Sequence, residues 1–167
     1  MENEAKQDKP IGSKEELHAL LAEFDTAMLV GTEADGSLRA RPMDLVHERL
    51  ADCDLWFVTA DDTHKTDEIE RHRQVNVCCM RMRDRAYLSV SARARIDRNP
   101  VAARRLWKPS WRLWLGDEQP EDGGIVLLKL EVERAEYWDP EGGRPRVVYA
   151  EPMRESLEDQ EATDIDL

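Results

Sequence analysis

The chain has 167 residues, of which 41% are hydrophobic and 36% charged, with a net charge of −12. This length fits one domain with a substantial core, and no apolar run reaches the length that spans a membrane. The acidic balance disfavours nucleic acid and anionic membranes as partners, because both reward a basic surface. Since the first ten residues lack the apolar core of a signal peptide, the sequence predicts cytoplasmic residence.

A short helix is predicted at the start of the domain. Ser13 and Glu16 match a capping box, in which a side chain accepts a hydrogen bond from a backbone N–H of the first turn. The apolar residues that follow recur on one helical face, at Leu17, Leu20, Leu21 and Phe24. The helix is therefore expected to pack this face against the core.

Six strands are predicted from apolar runs that are bounded by turn signals, at 26–32, 37–48, 55–59, 75–82, 86–97 and 125–138. Asp35-Gly36 is a strong hairpin signal between the first two. A short helix over 63–73 precedes the fourth strand, and Asn99-Pro100 starts another helix after the fifth. Hairpin spacing without regular strand–helix alternation predicts a mainly β (α+β) fold, an antiparallel barrel or sandwich.

The turn after the third strand is the most informative segment. The apolar run 55–58 leads into Thr59, Thr63, His64 and Lys65 at the start of the predicted helix. Unpaired N–H groups at a helix start favour negative charge, and a nearby lysine adds a full positive charge. The alternative is an ordinary N-cap at this turn with a solvated Lys65, and N-caps are commoner than ligand sites.

The segment Arg39-Ala40-Arg41-Pro42-Met43 is a second candidate for ligand contact. Strand alternation puts Arg39, Arg41 and Met43 on one face. Because proline cannot donate to a strand ladder, Pro42 predicts a sheet edge or a bulge, where backbone groups can meet a ligand. A solvated arginine face on an acidic protein is the alternative.

Three tryptophans, Trp107, Trp111 and Trp114, have the spacing of one helical face. Pro109 argues that the segment is not one uninterrupted helix. Such an aromatic face can cover a barrel mouth or a flat ring system. The alternative is a packing or dimer face, since aromatic residues are enriched at interfaces.

The sequence contains no motif for metal binding or for nucleophilic catalysis. The four histidines match no metal-ligand spacing, so no metal site is predicted. Cys78 and Cys79 are adjacent on a predicted strand and so point to opposite faces. No nucleophile motif, phosphate-binding glycine loop or dinucleotide fingerprint occurs, and no catalytic residue is assigned.

The order of the segments TAMLVGT, RARPM, LWFVTADDTHK, VNVCCM, YLSVSA and VLLKLEVERAEYWD resembles the FMN-binding split barrel of the pyridoxamine 5′-phosphate oxidase superfamily. The resemblance spans about 13–139 and is strongest to the general stress protein branch. It implies a six-stranded antiparallel split β-barrel of Greek-key type with short flanking helices. The predicted domain is 13–150, between an N-terminal extension, 1–12, and an acidic, disordered tail, 151–167.

The same resemblance implies FMN as the cofactor, held in a homodimer with the flavin at the subunit interface. Arg41-Pro42-Met43 would line the ring system and ribityl chain, and Val58 and Thr59 would end a strand against the flavin. A further set, Thr63, His64 and Lys65, would hold the phosphate. Trp111 or Trp114 would approach from the second subunit, with Tyr87 and Trp138 as further candidates.

Departures from the family pattern limit the implied function. His64 stands where the family often has arginine, so a charge that titrates near neutral pH replaces a fixed one. The basic Arg-x-His element that binds substrate phosphate near the C-terminus of true pyridoxamine-phosphate oxidases is absent, so vitamin oxidation is not expected. The sequence predicts a flavin-dependent oxidoreductase that uses NAD(P)H or another reductant on an unknown small molecule. The alternatives are a non-catalytic flavin-binding or sensing protein and a split barrel that binds a deazaflavin or haem.

Overall fold

The computed structural model describes residues 9–61, 63–116 and 124–152, with the backbone alone for 63–65. This part of the chain forms eight strands and four short α-helices. The elements are β1 Ile11–Gly12, α1 Lys14–Leu21, β2 Thr26–Thr32, β3 Leu38–Asp44, β4 Leu55–Ala60, α2 Thr63–Arg71, β5 Gln74–Arg81, β6 Ala86–Asp97, α3 Pro100–Leu106, a 3-10 turn Pro109–Trp111, α4 Arg112–Leu115, β7 Ile125–Trp138 and β8 Arg146–Ala150. No helix in the described residues is long and apolar enough to cross a membrane.

All strand pairs are antiparallel, in the order β1-β8-β7-β6-β5-β2-β3. The long strand β7 pairs with β6 along one side, while its other side pairs first with β4 and then with β8. The sheet thus divides at β7, as a split barrel requires. The predicted mainly β, antiparallel architecture is confirmed.

The structure corrects several predicted boundaries. β3 ends at Asp44 rather than at residue 48, and α2 ends at Arg71 rather than at residue 73. Two strands were not predicted, β1 and β8, which pair with each other through Ile11 and Ala150. The predicted loop over 116–124 and the tail over 151–167 lie for the most part outside the described residues.

The main core lies between α1 and the inward faces of the strands. Ser13 Oγ accepts a hydrogen bond from the Glu16 N–H at 3.1 Å, which confirms the predicted cap. Helix α1 then buries Leu17 and Leu21 against the strands. The strands contribute alternate residues to this core, so Cys79 is buried while the neighbouring Cys78 is half-buried on the outer face.

A second, smaller core lies on the outer side of β4 and β7. The segment from α3 to α4 packs there, and its Leu106 and Trp111 bury Trp56 and Leu127. The indole N–H of Trp56 donates a hydrogen bond to the Glu48 carbonyl at 2.7 Å, which holds the 45–50 segment in place. As the proline at 109 predicted, the helical segment is interrupted there.

A charged network joins the turn before β4 to strands β6 and β7. Lys129 is buried, and its Nζ lies 2.7 Å from Asp52 Oδ2 and 2.6 Å from Asp97 Oδ2. Hydrogen bonds from Lys129 and then from Arg95 lower the pKa of Asp52 to about 2. Burial opposes ionisation of Asp97, but hydrogen bonds from Lys129 and the Asn99 N–H lower its pKa. The network therefore stabilises the fold when both carboxyl groups are ionised.

Replacement of Lys129 by methionine is expected to lower the free energy of unfolding at pH 7 by about 1–3 kcal/mol, since it leaves Asp97 without its main partner. Because the folded-state pKa values of Asp52 and Asp97 are depressed, their contribution is present above about pH 4 and is lost as pH falls towards about 2. Urea unfolding at several pH values should show a smaller loss in acid for K129M than for the wild type. R146M, which removes an exposed ion pair with Glu16, is the control. Equal stability of K129M and R146M would contradict the assignment.

Candidate functional site

A cavity of about 160 Å³ opens beside the end of the β2–β3 hairpin. Strand β4 forms its floor and the last turn of the tryptophan-rich segment forms one wall. Its lining is mostly apolar and comprises Thr26, Pro42, Met43, Asp44, Val46, Val58, Trp111, Trp114 and Leu115. A largely apolar cavity with a few polar groups is the typical form of a small-molecule site.

The hairpin register brings the β-strand residues of the cavity together. Thr26 pairs with Asp44 and Met28 pairs with Pro42. Strand β3 is the last strand of the sheet path, so Pro42 lies on an edge strand, as predicted. This edge presents Pro42 and Met43 to the cavity without a neighbouring strand beyond them among the described residues.

The aromatic wall has one fixed and one exposed ring. Trp111 is buried and makes edge-to-face contacts with Trp56 and Trp107, at centroid distances of 6.3 and 5.9 Å. Trp114 is 70% exposed. Trp111 is therefore held by the second core, whereas Trp114 presents its ring both to the cavity and to the surface.

Half of the ten predicted cofactor-binding residues line this cavity: Pro42, Met43, Val58, Trp111 and Trp114. Trp111 and Trp114 both line this cavity of their own chain, and the implied approach of one of them to a flavin from the second subunit stays a prediction. Thr59 is buried at the end of β4, one residue beyond Val58, and is not among the lining residues. The end of β4, through Val58, and the two tryptophans thus meet at one cavity.

Four lining residues were not predicted: Thr26, Asp44, Val46 and Leu115. Thr26 and Asp44 follow from extending the hairpin register outward from Asp35-Gly36, which the sequence contains. Leu115 lies four positions after Trp111 and so shares its helical face. No local signal marks Val46, since it lies in the irregular segment after β3.

Arg41 connects the cavity edge to helix α2. It is half-buried, and its guanidinium lies 3.2 Å from Glu33 and 3.6 Å from Glu68 of α2. It does not line the cavity itself. Arg41 thus bridges β3 and α2, and its predicted contact with a flavin stays a prediction.

Helix α2 begins at Thr63, three residues after β4 ends. The turn before it is fixed by Asp61, whose N–H donates to the Gly124 carbonyl at 2.8 Å and whose carboxylate accepts from Thr66 Oγ at 3.2 Å. Arg98 lies 3.4 Å from the same carboxylate and balances its charge. The side chains of Thr63, His64 and Lys65 lie outside the described part of the chain, so their phosphate contacts stay a prediction.

The residues present fit a flavin. A largely apolar cavity suits an aromatic ring system, and the helix start that follows Val58 and Thr59 suits a phosphate. Asp44, the one ionisable residue among the described cavity residues, would disfavour a phosphate beside it, so the start of α2 stays the predicted phosphate site. The described residues contain no group of three or more His, Cys, Asp or Glu side chains placed for a metal ion.

Comparison with known proteins agrees with this geometry. The family model described as "Pyridoxamine 5′-phosphate oxidase like" matches residues 12–162. The chain belongs to the pyridoxamine 5′-phosphate oxidase-like family. Within it, General stress protein 26 of Bacillus subtilis is 26% identical over 108 residues, which cover 62% of this chain and 73% of that protein.

Solved structures show the same fold. General Stress Protein 26 from Bacillus anthracis superposes with a TM-score of 0.61 at 28% identity, over 78% of this chain and 97% of that one. A pyridoxamine 5′-phosphate oxidase-related, FMN binding protein from Nostoc punctiforme has a TM-score of 0.59 at 16% identity, over 78% of this chain and 82% of that one. At that identity the second likeness concerns the fold alone. The resemblance to general stress proteins and the split-barrel fold are thereby confirmed.

Proposed function

We propose that this family member is an FMN-binding flavoprotein that acts as an oxidoreductase on a small molecule, with NAD(P)H or another reductant as electron donor. One observation carries the proposal: five residues predicted from the sequence to contact a flavin line a single, largely apolar cavity, and one of them, Val58, lies on the strand that leads into helix α2. The FMN-binding relative from Nostoc punctiforme supports the choice of cofactor.

The chain would bind and orient the cofactor rather than act as acid or base. Bound FMN supplies redox chemistry at its ring system. Met43, Val58 and Trp111 would hold the ring and exclude water, and the start of α2 would hold the phosphate. The Arg41–Glu68 ion pair would keep the strand edge and that helix at a fixed separation.

We further propose that the protein is a homodimer whose second subunit completes this site. A cavity of about 160 Å³ is smaller than the usual ligand pocket of about 300–1,000 Å³, so one chain encloses only part of a flavin. The outer face of β2, β5 and β6 supplies a surface for a second copy. It exposes or half-exposes apolar residues that no described helix covers, namely Met28, Val30, Met80 and Tyr87.

The bound chromophore is the test of this function. Purified protein should be yellow, release FMN on denaturation and have the mass of two chains by light scattering. Anaerobic bleaching by NAD(P)H, followed by reoxidation, would support an oxidoreductase, whereas a stable oxidised flavin would favour a binding or sensing protein. A released deazaflavin or haem would replace FMN as cofactor. Colourless protein that takes up no added flavin would overturn the proposal.

A further inference from the structure

The cavity has an apolar inner end and an exposed outer end. Its buried and half-buried lining residues are all apolar: Met43, Val46, Val58, Trp111 and Leu115. The exposed lining residues are Thr26, Pro42, Asp44 and Trp114, and they include both polar residues of the lining. The ring system of the proposed cofactor suits the inner end, whereas the outer end is open to a second ligand.

The hairpin register places the two polar residues of this outer end side by side. Thr26 and Asp44 are paired across β2 and β3, and directly opposite residues in antiparallel strands have Cβ atoms about 5 Å apart. Ala27, the next residue of β2, is buried in the main core. Strand alternation therefore directs Thr26, and Asp44 with it, to the outer face of the sheet, where the cavity lies. A hydroxyl and a carboxylate thus lie together at the cavity mouth.

The Asp44 carboxylate has no counter-ion among the residues that the structure describes. On the same strand, Arg41 pairs with Glu33 and Glu68 instead. Lys108, whose ammonium lies 5.8 Å from the centre of a cavity-lining indole ring, makes no described ion pair with Asp44 either. A ligand that fills the mouth must replace the water around this carboxylate, and a carboxylate that loses water without a counter-ion is costly. A positively charged ligand group removes that cost.

We propose that Thr26, Asp44 and Trp114 form a subsite for the cationic group of the substrate, which is therefore a small organic cation such as an amine or an amidine. The carboxylate would accept charge-assisted hydrogen bonds from the cation, and the Thr26 hydroxyl would accept another. The indole of Trp114 would attract the same cation through its ring face. The net charge of −12 adds a long-range attraction for cations. This inference rests on the proposed function, because it names the substrate class of that site.

The volume of the cavity, about 160 Å³, sets the size of a suitable probe. An apolar cavity of about 150 Å³ holds one benzene ring, so a one-ring cation can contact several lining residues at once. Benzamidine is a benzene ring with a cationic amidinium group. Benzamide has nearly the same shape and no charge, and benzoate carries a negative charge. A preference for benzamidine over the other two compounds therefore reports the charge of the ligand and not its shape.

Ligand-observed NMR titration of the full-length protein with these three probes, both as purified and with FMN added, tests the subsite. In both states the wild type should bind benzamidine about tenfold more tightly than benzamide or benzoate, as expected for a charged hydrogen bond. D44N should bind benzamidine no more tightly than benzamide, with the affinity for benzamide unchanged. D25N is the matched control, because Asp25 is exposed and adjoins Thr26 but does not line the cavity. It removes the same charge and should keep the preference for benzamidine.

Equal affinities of the wild type for benzamidine and benzamide, or equal losses in D44N and D25N, would overturn the subsite. Loss of benzamidine binding on addition of FMN would also overturn it, because the flavin would then fill the outer end. A D44N protein that dimerises more weakly than the wild type would overturn it as well, since Asp44 would then pair with a cation of a second copy. If the protein takes up no flavin but keeps a preference for benzamidine that depends on Asp44, the proposed function fails and the cation subsite stands.

Discussion

Replacing Trp111 by alanine is expected to lower the free energy of unfolding by about 3–5 kcal/mol, whereas Trp114→Ala should change it by less than about 0.5 kcal/mol. Trp111 is 9% exposed and contacts Trp56 and Trp107, so its removal leaves a hole in the second core. Trp114 is 70% exposed and has little packing to lose. Urea unfolding followed by circular dichroism measures both changes.

Both substitutions should weaken flavin binding, because both rings line the same cavity. Trp114→Ala is the informative variant, since a fall in FMN affinity in a fully stable protein reports the cavity rather than the fold. Leu113→Ala is the control, because Leu113 is exposed on the same short helix but does not line the cavity. If W114A and L113A bind FMN equally well, the aromatic wall does not contact the flavin.

Those features of the fold that depend on local sequence were predictable. The cap at Ser13, the turn at Asp35-Gly36 and the interruption at Pro109 each follow from one or two residues, and the structure contains all three. Strands β1 and β8 were missed because they are short and exist through pairing across the whole length of the chain. Ile11–Gly12 has no strand signal without its partner at the other end.

Site residues that lie on predicted strands could be predicted from the sequence. Those whose position depends on contacts with residues distant in sequence could not. Pro42, Met43 and Val58 lie on predicted strands, and the structure brings them to one cavity. The ion pair between Arg41 and Glu68 could not be predicted from the strand, because Glu68 lies 27 positions later on a different element. The position of Trp111 beside the cavity depends on how the whole segment packs on β4, which periodicity does not encode.

Lys65→Ala is expected to weaken FMN binding by about 1–3 kcal/mol, roughly a five- to 150-fold rise in dissociation constant, as for loss of a charged hydrogen bond. Lys65 is the third residue of α2, where the helix start already favours an anion. Titration of apoprotein with FMN, followed by flavin fluorescence, gives the dissociation constant. An unchanged dissociation constant would show that the phosphate does not bind at this turn.

Riboflavin separates phosphate binding from any general damage to the site. It has the same ring system and no phosphate, so K65A should bind riboflavin as the wild type does, while W114A should lose affinity for both ligands. Lys108→Ala removes a cation far from α2 in sequence and controls for the net charge of the protein.

At pH 8 an imidazole is mostly neutral and an arginine is charged, so His64→Arg should strengthen FMN binding there and leave riboflavin binding unchanged. If instead K65A weakens the binding of FMN and of riboflavin equally, Lys65 supports the cavity that holds the ring system. The hypothesis that the α2 turn binds the phosphate then fails, although the cavity still binds flavin.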